Sequence, residues 1–193
     1  SDKCIMDLTK KSDIQFIIKT AQAASKLIME YYEDPSNLDV ESKTDNSPVT
    51  IADKKSSELI IKQLHILNNK IPVISEENAE SENLKIIKNH RTYWLIDPID
   101  GTWSFIKKKG HFTINIALVK NGLPIWGLII SPLDENAVYY IDHNNEAIKM
   151  VNGKCNKISS SPLTAKGYDF LVSHQNLNQK TQDFLAKFKV NTI

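Results

Sequence analysis

The sequence has few cysteines, no fixed repeat and no long apolar run, and each absence excludes a class of protein. Only two cysteines occur in 193 residues, Cys4 and Cys155, near opposite ends of the chain. Neither a disulfide framework nor a Cys-x-x-Cys zinc site is therefore expected. The lack of a repeat excludes collagen and coiled coils, and no segment approaches the ~20 apolar residues of a membrane span.

Net charge is also almost absent, since 24 Lys and Arg oppose 23 Asp and Glu. A nucleic-acid or membrane-surface binder would normally carry a clear positive excess, so neither partner is expected and any anionic ligand needs a local site. The first residues lack the layout of a signal peptide, which predicts a cytoplasmic protein. With 41% hydrophobic residues, the chain can form a packed core, as one large domain or one domain plus part of another.

Apolar residues at spacings of three and four predict two amphipathic helices, over residues 12–33 and 50–67. Ser12 and Gln15 together suggest a capping box at the start of the first helix. The second helix is expected to direct these residues inward: Leu59, Ile60, Leu64 and Leu67.

Two short hydrophobic strands are predicted to end in acidic residues. Residues 71–74 lead into Glu76 and Glu77, and residues 93–96 lead into Asp97. An antiparallel meander is expected after them, with strands at 112–120, 123–130, 138–141 and 147–151 and a hairpin turn at Asn121-Gly122. The C-terminal segment is expected to add a strand at 170–173 and a helix at 178–188, with Phe184, Leu185 and Phe188 directed inward.

The most informative stretch places Asp97 and Asp100 three residues apart at the end of a hydrophobic strand. If a helix starts at Thr102, the amides of Gly101, Thr102 and Trp103 form an anion site at its N-terminus. Carboxylates and a phosphate would repel each other there without cations between them. Hard cations with oxygen ligands, Mg²⁺ above all, resolve that conflict.

Other interpretations of this acidic stretch differ in how well they fit. A plain turn with an Asp cap stays open for the hexapeptide alone. A twelve-residue calcium loop starting at Asp97 would need its last ligand at Lys108. A phosphatase with an Asp-x-Asp nucleophile would need an Asp at Ile99, so neither of these two motifs fits.

Residues 94–107, which read WLIDPIDGTWSFIK, resemble the first signature of the inositol monophosphatase superfamily of Mg²⁺-dependent, lithium-sensitive phosphatases. Three further motifs agree with that family in order and spacing, at residues 45–53, 72–77 and 110–118. Within the superfamily the stretches look most like the 3′(2′),5′-bisphosphate nucleotidase branch of CysQ type, which is linked to sulfur metabolism. The resemblance extends to about residue 188.

The resemblance implies an α+β fold, a layered α-β-α-β sandwich in which an antiparallel sheet packs on paired helices. Residues 1–158 would form the N-terminal α+β metal-binding phosphatase domain. Residues 159–193 would start an incomplete C-terminal α/β domain. Family members continue further, to a Trp-Asp motif that supplies a metal ligand, and no Trp here precedes an Asp. A homodimer could bury the edge left by the absent part.

The resemblance also assigns the acids to metal ions. Glu76, Asp97 and the backbone carbonyl of Ile99 would hold one Mg²⁺ ion. Asp97 would bridge to a second ion, which Asp100 would also hold. Glu77 would support these ligands without binding metal itself. The residues alone point the same way, because two strand ends bring acids together; the alternative for Glu76 and Glu77 is a solvated loop pair.

The nucleophile implied by the resemblance is water, oriented or deprotonated by a hydrogen-bonded pair of Thr102 and Asp53. Taken alone, Asp53 would be a first-turn acid favoured by the helix dipole. The amides of Gly101, Thr102 and Trp103 would bind the substrate phosphate. Lys107, Lys108 and Lys109 are more typical of a solvated face than of a substrate contact, and the five histidines show no metal-ligand spacing.

The leading hypothesis is a Mg²⁺-dependent phosphomonoesterase that hydrolyses the 3′-phosphate of 3′-phosphoadenosine 5′-phosphate. Trp103 and Ser104 replace the Lys and acidic residue that are usual in the nucleotidase branch. Two alternatives therefore stay open. One keeps the chemistry with an inositol monophosphate or sugar phosphate substrate, and the other is a non-catalytic remnant that binds metal or nucleotide or oligomerises.

Overall fold

The computed structural model describes residues 10–42, 48–161, 166–172 and 178–192. The chain divides into two compact units, Ser1–Ile158 and Ser159–Ile193. Part of the predicted motif at 45–53, namely residues 45–47, lies outside the described residues, as do Cys4 and His174. The interpretation of 159–193 as the start of a C-terminal α/β domain stays a prediction. None of the described helices is long and apolar enough to cross a membrane, and the cytoplasmic location stays a prediction.

Two long helices match the predicted ones closely. Helix α1 covers Lys11–Glu33 and α2 covers Ile51–Leu67, preceded by a short hairpin of β1 (Val40–Ser42) and β2 (Pro48–Thr50). A short 3-10 turn, Pro35–Asn37, follows α1. The predicted capping box at Ser12 is wrong, because Ser12 lies inside the first turn and its hydroxyl donates to the Asp13 carboxylate.

A seven-stranded mixed sheet forms the centre of the first unit, and its strands lie side by side in chain order. They are β3 (Val73–Ser75), β4 (Thr92–Asp100), β5 (Thr113–Lys120), β6 (Leu123–Ser131), β7 (Ala137–Ile141), β8 (Ala147–Val151) and β9 (Lys154–Lys157). Strands β3 and β4 are parallel, and all later pairs are antiparallel. The predicted meander is thus confirmed.

One face of this sheet packs on α1 and α2 to form the core. Alternate residues of the strands point to it, as expected for a half-buried sheet. The buried set includes Trp94, Ile96, Ile114, Ile116, Leu118, Leu128 and Ile130 from the sheet and Ile17, Ala21, Ile28, Ile60 and Leu64 from the helices. The opposite face carries Leu95 and Ile129, each nearly half exposed.

Turn chemistry explains the hairpins. Asn121 and Gly122 both adopt positive φ, 52° and 78°, which a two-residue turn between twisted strands requires. Asn152 and Gly153 do the same between β8 and β9. The elements that were not predicted from the sequence include the pair β1 and β2, strand β9, whose residues are all exposed, and α3 (Glu80–Asn89), which buries none of its residues.

The second unit contains a parallel pair, β10 (Tyr168–Asp169) and β11 (Val190–Thr192), and helix α5 (Gln179–Leu185). The strand predicted at 170–173 is wrong for residues 170–172, because the strand lies two residues earlier, and residue 173 lies outside the described residues. The predicted helix is shorter than expected and starts with the Asn178 side chain as its N-cap. Leu185 is buried as predicted, whereas Phe184 and Phe188 are 53% and 37% exposed, so their inward placement is wrong.

Candidate active site

The two acidic segments lie next to each other because β3 and β4 are parallel neighbours. Strand β4 runs through Asp97 to Asp100, so it is longer than the strand predicted at 93–96. Ser75 pairs with Ile96, and the Glu76 amide donates to the Ile96 carbonyl at 3.2 Å. The next residues along each strand are therefore Glu76 and Asp97. The sheet thus brings together two acids that lie 21 residues apart in the sequence (97 − 76).

The surroundings of Asp97 change the pKa of its carboxyl group. Its pKa is raised to about 8, first by burial, then by the negative charge of Glu76 and a hydrogen bond with the Glu76 carboxyl, and then by the charge of Asp100. The Ile99 amide donates to Asp97 Oδ1 at 3.1 Å and acts in the opposite direction. In the absence of a cation these surroundings favour the protonated form of Asp97.

A β-bulge places Asp97 and Asp100 on the same face of β4. Asp97 pairs with Asn115 and Asp100 with Thr113, so three steps along β4 match two steps along β5. Residues three apart in a regular strand point to opposite faces, but paired residues share a face and Thr113 and Asn115 are two apart. The extra residue in β4 thus directs both acids away from the core formed with α1 and α2.

The donor set fits a hard cation. Glu76 and Asp97 contribute carboxylates, and the Ile99 carbonyl is the predicted third oxygen. Within the described ranges, no three His, Cys, Asp or Glu side chains converge on one point. The predicted first ion needs only two carboxylates and a carbonyl, whereas Asp100 accepts a hydrogen bond from Asn115 Nδ2 at 3.1 Å.

Helix α4 (Thr102–Lys107) begins immediately after the acids. Gly101 stands at its N-cap with φ 95°, and a Cβ there would lie 3.2 Å from the His111 carbonyl oxygen, so only glycine suits this close approach. The first-turn amides have no acceptor within their own helix, which is the basis for the predicted phosphate contacts. The Trp103 side chain itself is 44% exposed.

Thr102 connects this turn to α2. Its hydroxyl lies 3.1 Å from Asp53 Oδ1 and 3.1 Å from the Ile99 carbonyl oxygen. A hydroxyl has one hydrogen, so Thr102 donates to one of these two acceptors at a time. The hydrogen-bonded pair of Thr102 and Asp53 is present in the structure, although its catalytic role stays a proposal.

Asp53 is buried and also caps its own helix. The Thr50 amide donates to Asp53 Oδ2 at 2.8 Å, and the Thr50 hydroxyl accepts from the Asp53 amide at 3.4 Å, completing a capping box. Burial raises the pKa of Asp53, while hydrogen bonds from Thr50 and Thr102 oppose the rise. The alternative role as a first-turn acid and the pairing with Thr102 thus occur together.

Glu77 and the lysines lie around this centre. The Glu77 amide donates to the Ser75 hydroxyl at 3.2 Å, which fixes the turn that carries Glu76. Lys107, Lys108 and Lys109 are exposed, and Lys108 Nζ lies 5.3 Å from the centre of the Tyr32 ring. That contact is a cation–π interaction with helix α1.

Sequence reasoning missed three polar residues that hold the site. Ser57 of α2 and Ser75 of β3 share a buried hydroxyl hydrogen bond of 2.7 Å. Asn83 of α3 donates to the Ser75 carbonyl at 2.8 Å. The position of Ser75 directly before the acidic pair could have indicated its role. Nothing in the sequence pointed to Ser57 or Asn83.

Comparison with known proteins identifies the fold family. The model of the inositol monophosphatase family matches residues 10–192, nearly the whole chain. The chain belongs to the inositol monophosphatase family. The fold expected from the sequence motifs is therefore confirmed.

Several relatives within the inositol monophosphatase family carry the same name. The curated 3′(2′),5′-bisphosphate nucleotidase CysQ of Buchnera aphidicola is 35% identical over 173 residues, which is 90% of this chain. That of Escherichia coli K12 is 41% identical over 117 residues, 61% of this chain. The crystal structure of CysQ from Bacteroides thetaiotaomicron superposes with a TM-score of 0.74 at 29% identity, covering 95% of this chain and 72% of that one.

Coverage in the other direction is lower. The matches include 63% of the Buchnera protein and 47% of the Escherichia protein. The chain thus spans about half to two thirds of the length of these curated relatives. The activity in their names is that of the relatives, of which this chain spans only part.

Proposed function

We propose that this chain carries the metal-binding half of a Mg²⁺-dependent phosphomonoesterase that hydrolyses the 3′-phosphate of 3′-phosphoadenosine 5′-phosphate. The observation that carries the proposal is the contact between the Glu76 and Asp97 carboxyls. Close by in the sequence, the Thr102 hydroxyl lies 3.1 Å from both Asp53 Oδ1 and the Ile99 carbonyl oxygen. The nucleotidase names of the curated relatives support the substrate.

Glu76, Asp97, the Ile99 carbonyl and Asp100 would hold the metal. When bound, Mg²⁺ supplies positive charge to the phosphoryl oxygens and makes the attacking water more acidic. The chain's own contribution is to keep these oxygens on one sheet edge. A cation would also offset the repulsion between the Asp97 and Glu76 carboxylates, which raises the pKa of Asp97 in its absence.

Thr102 and Asp53 would handle the proton of the attacking water. The water oxygen bonds to phosphorus while the bond to the 3′ oxygen of the ribose breaks, and the departing 3′ oxygen takes up a proton from solvent. Thr102 accepts a proton from the water as its own hydroxyl proton passes to Asp53. The burial that raises the pKa of Asp53 favours this acceptance. A cation on the Ile99 carbonyl would leave Asp53 as the acceptor for the Thr102 hydroxyl.

The test measures phosphate release by the 193-residue chain from a panel of phosphate esters, with Mg²⁺ and with EDTA. The panel contains 3′-phosphoadenosine 5′-phosphate, inositol 1-phosphate and a sugar phosphate. We expect Mg²⁺-dependent release from the first compound that Asp97→Asn abolishes. Glu58→Gln is the matched control, because Glu58 is an exposed acid on α2, the helix that carries Asp53.

The other outcomes separate the alternatives. Faster phosphate release from inositol 1-phosphate than from 3′-phosphoadenosine 5′-phosphate would show that inositol monophosphate is the preferred substrate. Mg²⁺ binding without hydrolysis of any ester would favour the non-catalytic remnant. The homodimer is a separate proposal supported by exposed apolar side chains such as Leu95 and Phe184, 44% and 53% exposed. Sedimentation showing a single monomeric species at high protein concentration would contradict it.

A further inference from the structure

Asn115 occupies a special position on the face of the sheet that carries the acids. It lies opposite Asp97 in the pairing of β4 with β5. The cavity on this face, with a volume of about 770 Å³, is lined beside Asn115 mainly by apolar residues such as Leu95, Ala117 and Ile129. Asn115 is half-buried, so its amide is partly withdrawn from water and gains from hydrogen bonds within the protein.

Both ends of the Asn115 amide are used. Its Nδ2 donates to Asp100 Oδ2 at 3.1 Å, and its Oδ1 accepts from the Thr113 hydroxyl at 3.2 Å. A carboxylate can only accept and a threonine hydroxyl can donate, so this orientation of the amide suits both partners. Thr113 is also the residue that pairs with Asp100 across the bulge.

We propose that Asn115 is a positioning residue that turns the Asp100 carboxylate toward Asp97 for metal binding. This inference rests on the proposed function. The hydrogen bond occupies one oxygen of Asp100, which restricts the rotation of an exposed side chain and leaves its other oxygen to face the ion. Thr113 fixes the amide in turn. Such outer hydrogen bonds orient ligands and typically change metal affinity by about 10- to 100-fold.

The test is a double-mutant cycle on metal binding, which needs no activity. Mn²⁺ binding to the 193-residue chain is measured by electron paramagnetic resonance for the wild type, Asn115→Ala, Asp100→Asn and the double variant. We expect Asn115→Ala to weaken Mn²⁺ binding about 10-fold in the wild-type background. In the Asp100→Asn background it should have no further effect, because its partner is already altered.

Control variants separate positioning from general damage. Asn89→Ala removes an exposed Asn whose Nδ2 donates only to the nearby Lys85 carbonyl, and it should bind Mn²⁺ like the wild type. Asn115→Gln keeps an amide donor and should recover part of the affinity. If Asn115→Ala does not fold, Asn115→Ser carries the same expectation, since its side chain is too short to reach Asp100.

Two results would overturn the inference. Equal weakening by Asn115→Ala in both backgrounds would show that it does not act through Asp100. The second result is an Asn115→Ala variant that binds Mn²⁺ as tightly as the wild type, while Asp97→Asn abolishes binding. This result would reject the positioning role and leave the proposed function intact. Absence of Mn²⁺ binding in the wild type would overturn both together.

Discussion

Asp53 and Asp97 are two acids withdrawn from water within one site, and they differ in what surrounds them. Asp53 is enclosed by hydrogen-bond donors, two from Thr50 and one from Thr102. Asp97 has one donor, the Ile99 amide, and faces the carboxyls of Glu76 and Asp100. Burial raises the pKa of both acids, but the donors oppose the rise at Asp53 whereas the neighbouring acids add to it at Asp97.

The difference shows which part of the site is complete within the chain. The surroundings of Asp53 are supplied by the capping box and by α4, so this acid is held in place without a ligand. The surroundings of Asp97 repel its own charge, and a cation would relieve that repulsion. Mutations should therefore damage stability at Asp53 and metal binding at Asp97.

The largest effect is expected from Asp97→Asn. Because it removes a ligand and a negative charge, Mg²⁺ binding and any phosphatase activity should fall to background. In EDTA the same variant should melt at a higher temperature than the wild type at pH 8, since it no longer buries a charge beside Glu76. Calorimetry with Mg²⁺ and thermal unfolding in EDTA measure the two effects. A loss of both metal binding and stability in Asp97→Asn would contradict the proposed difference between Asp97 and Asp53.

Asp53→Asn should show the opposite pattern. The amide cannot accept from every donor around Asp53, so we expect a loss of about 1–3 kcal/mol in the free energy of unfolding. Phosphate release should fall about 10²- to 10⁴-fold as a proton acceptor is lost. Mg²⁺ binding should persist. Denaturant unfolding with parallel calorimetry measures these quantities, and Thr50→Ala serves as a variant that breaks the cap but keeps the Thr102 contact.

Thr102 allows a narrower test of the pair. Thr102→Val removes the hydroxyl at nearly constant size, so phosphate release should fall about 10²-fold while Mg²⁺ binding changes little. Thr102→Ser restores the hydroxyl and should recover most of the rate. Steady-state kinetics of the two variants test this expectation. Equal rates for Thr102→Val and Thr102→Ser would show that the Thr102 hydroxyl takes no part in proton transfer.

The smallest effect is expected from a change of one pH unit, and it belongs to Asp97. Its pKa of about 8 in the folded chain lies above the ordinary value of 3.8, so folding favours the protonated form. Its contribution to stability in EDTA is full below about pH 4 and is lost as the pH rises to about 8. Mg²⁺ competes with the same proton, so affinity should rise up to about tenfold per pH unit below pH 8. Thermal unfolding measures the stability trend and calorimetry the affinity trend. The stability trend should be absent in Asp97→Asn.

Elements with strong periodicity were predictable. Helices α1 and α2 and the meander from β5 to β8 follow from apolar spacing and from Asn-Gly turns, which act over a few residues. The acids at two strand ends were predictable for the same reason. Helix α3 was missed because it buries none of its residues, and β9 because an exposed edge strand has no apolar pattern. The residues around Ser12 do not indicate whether it lies inside the helix or at its N-cap.

The sequence by itself determined which acids end the two strands and that glycine follows Asp100, because strand patterns and turn residues are local properties. Only the tertiary structure decided that Asp97 and Asp100 share a face. Two residues three apart should point to opposite faces of a strand, and the bulge that reverses this depends on pairing with β5. The contact between Thr102 and Asp53, 49 residues apart, likewise exists only because α2 and α4 meet in the folded chain.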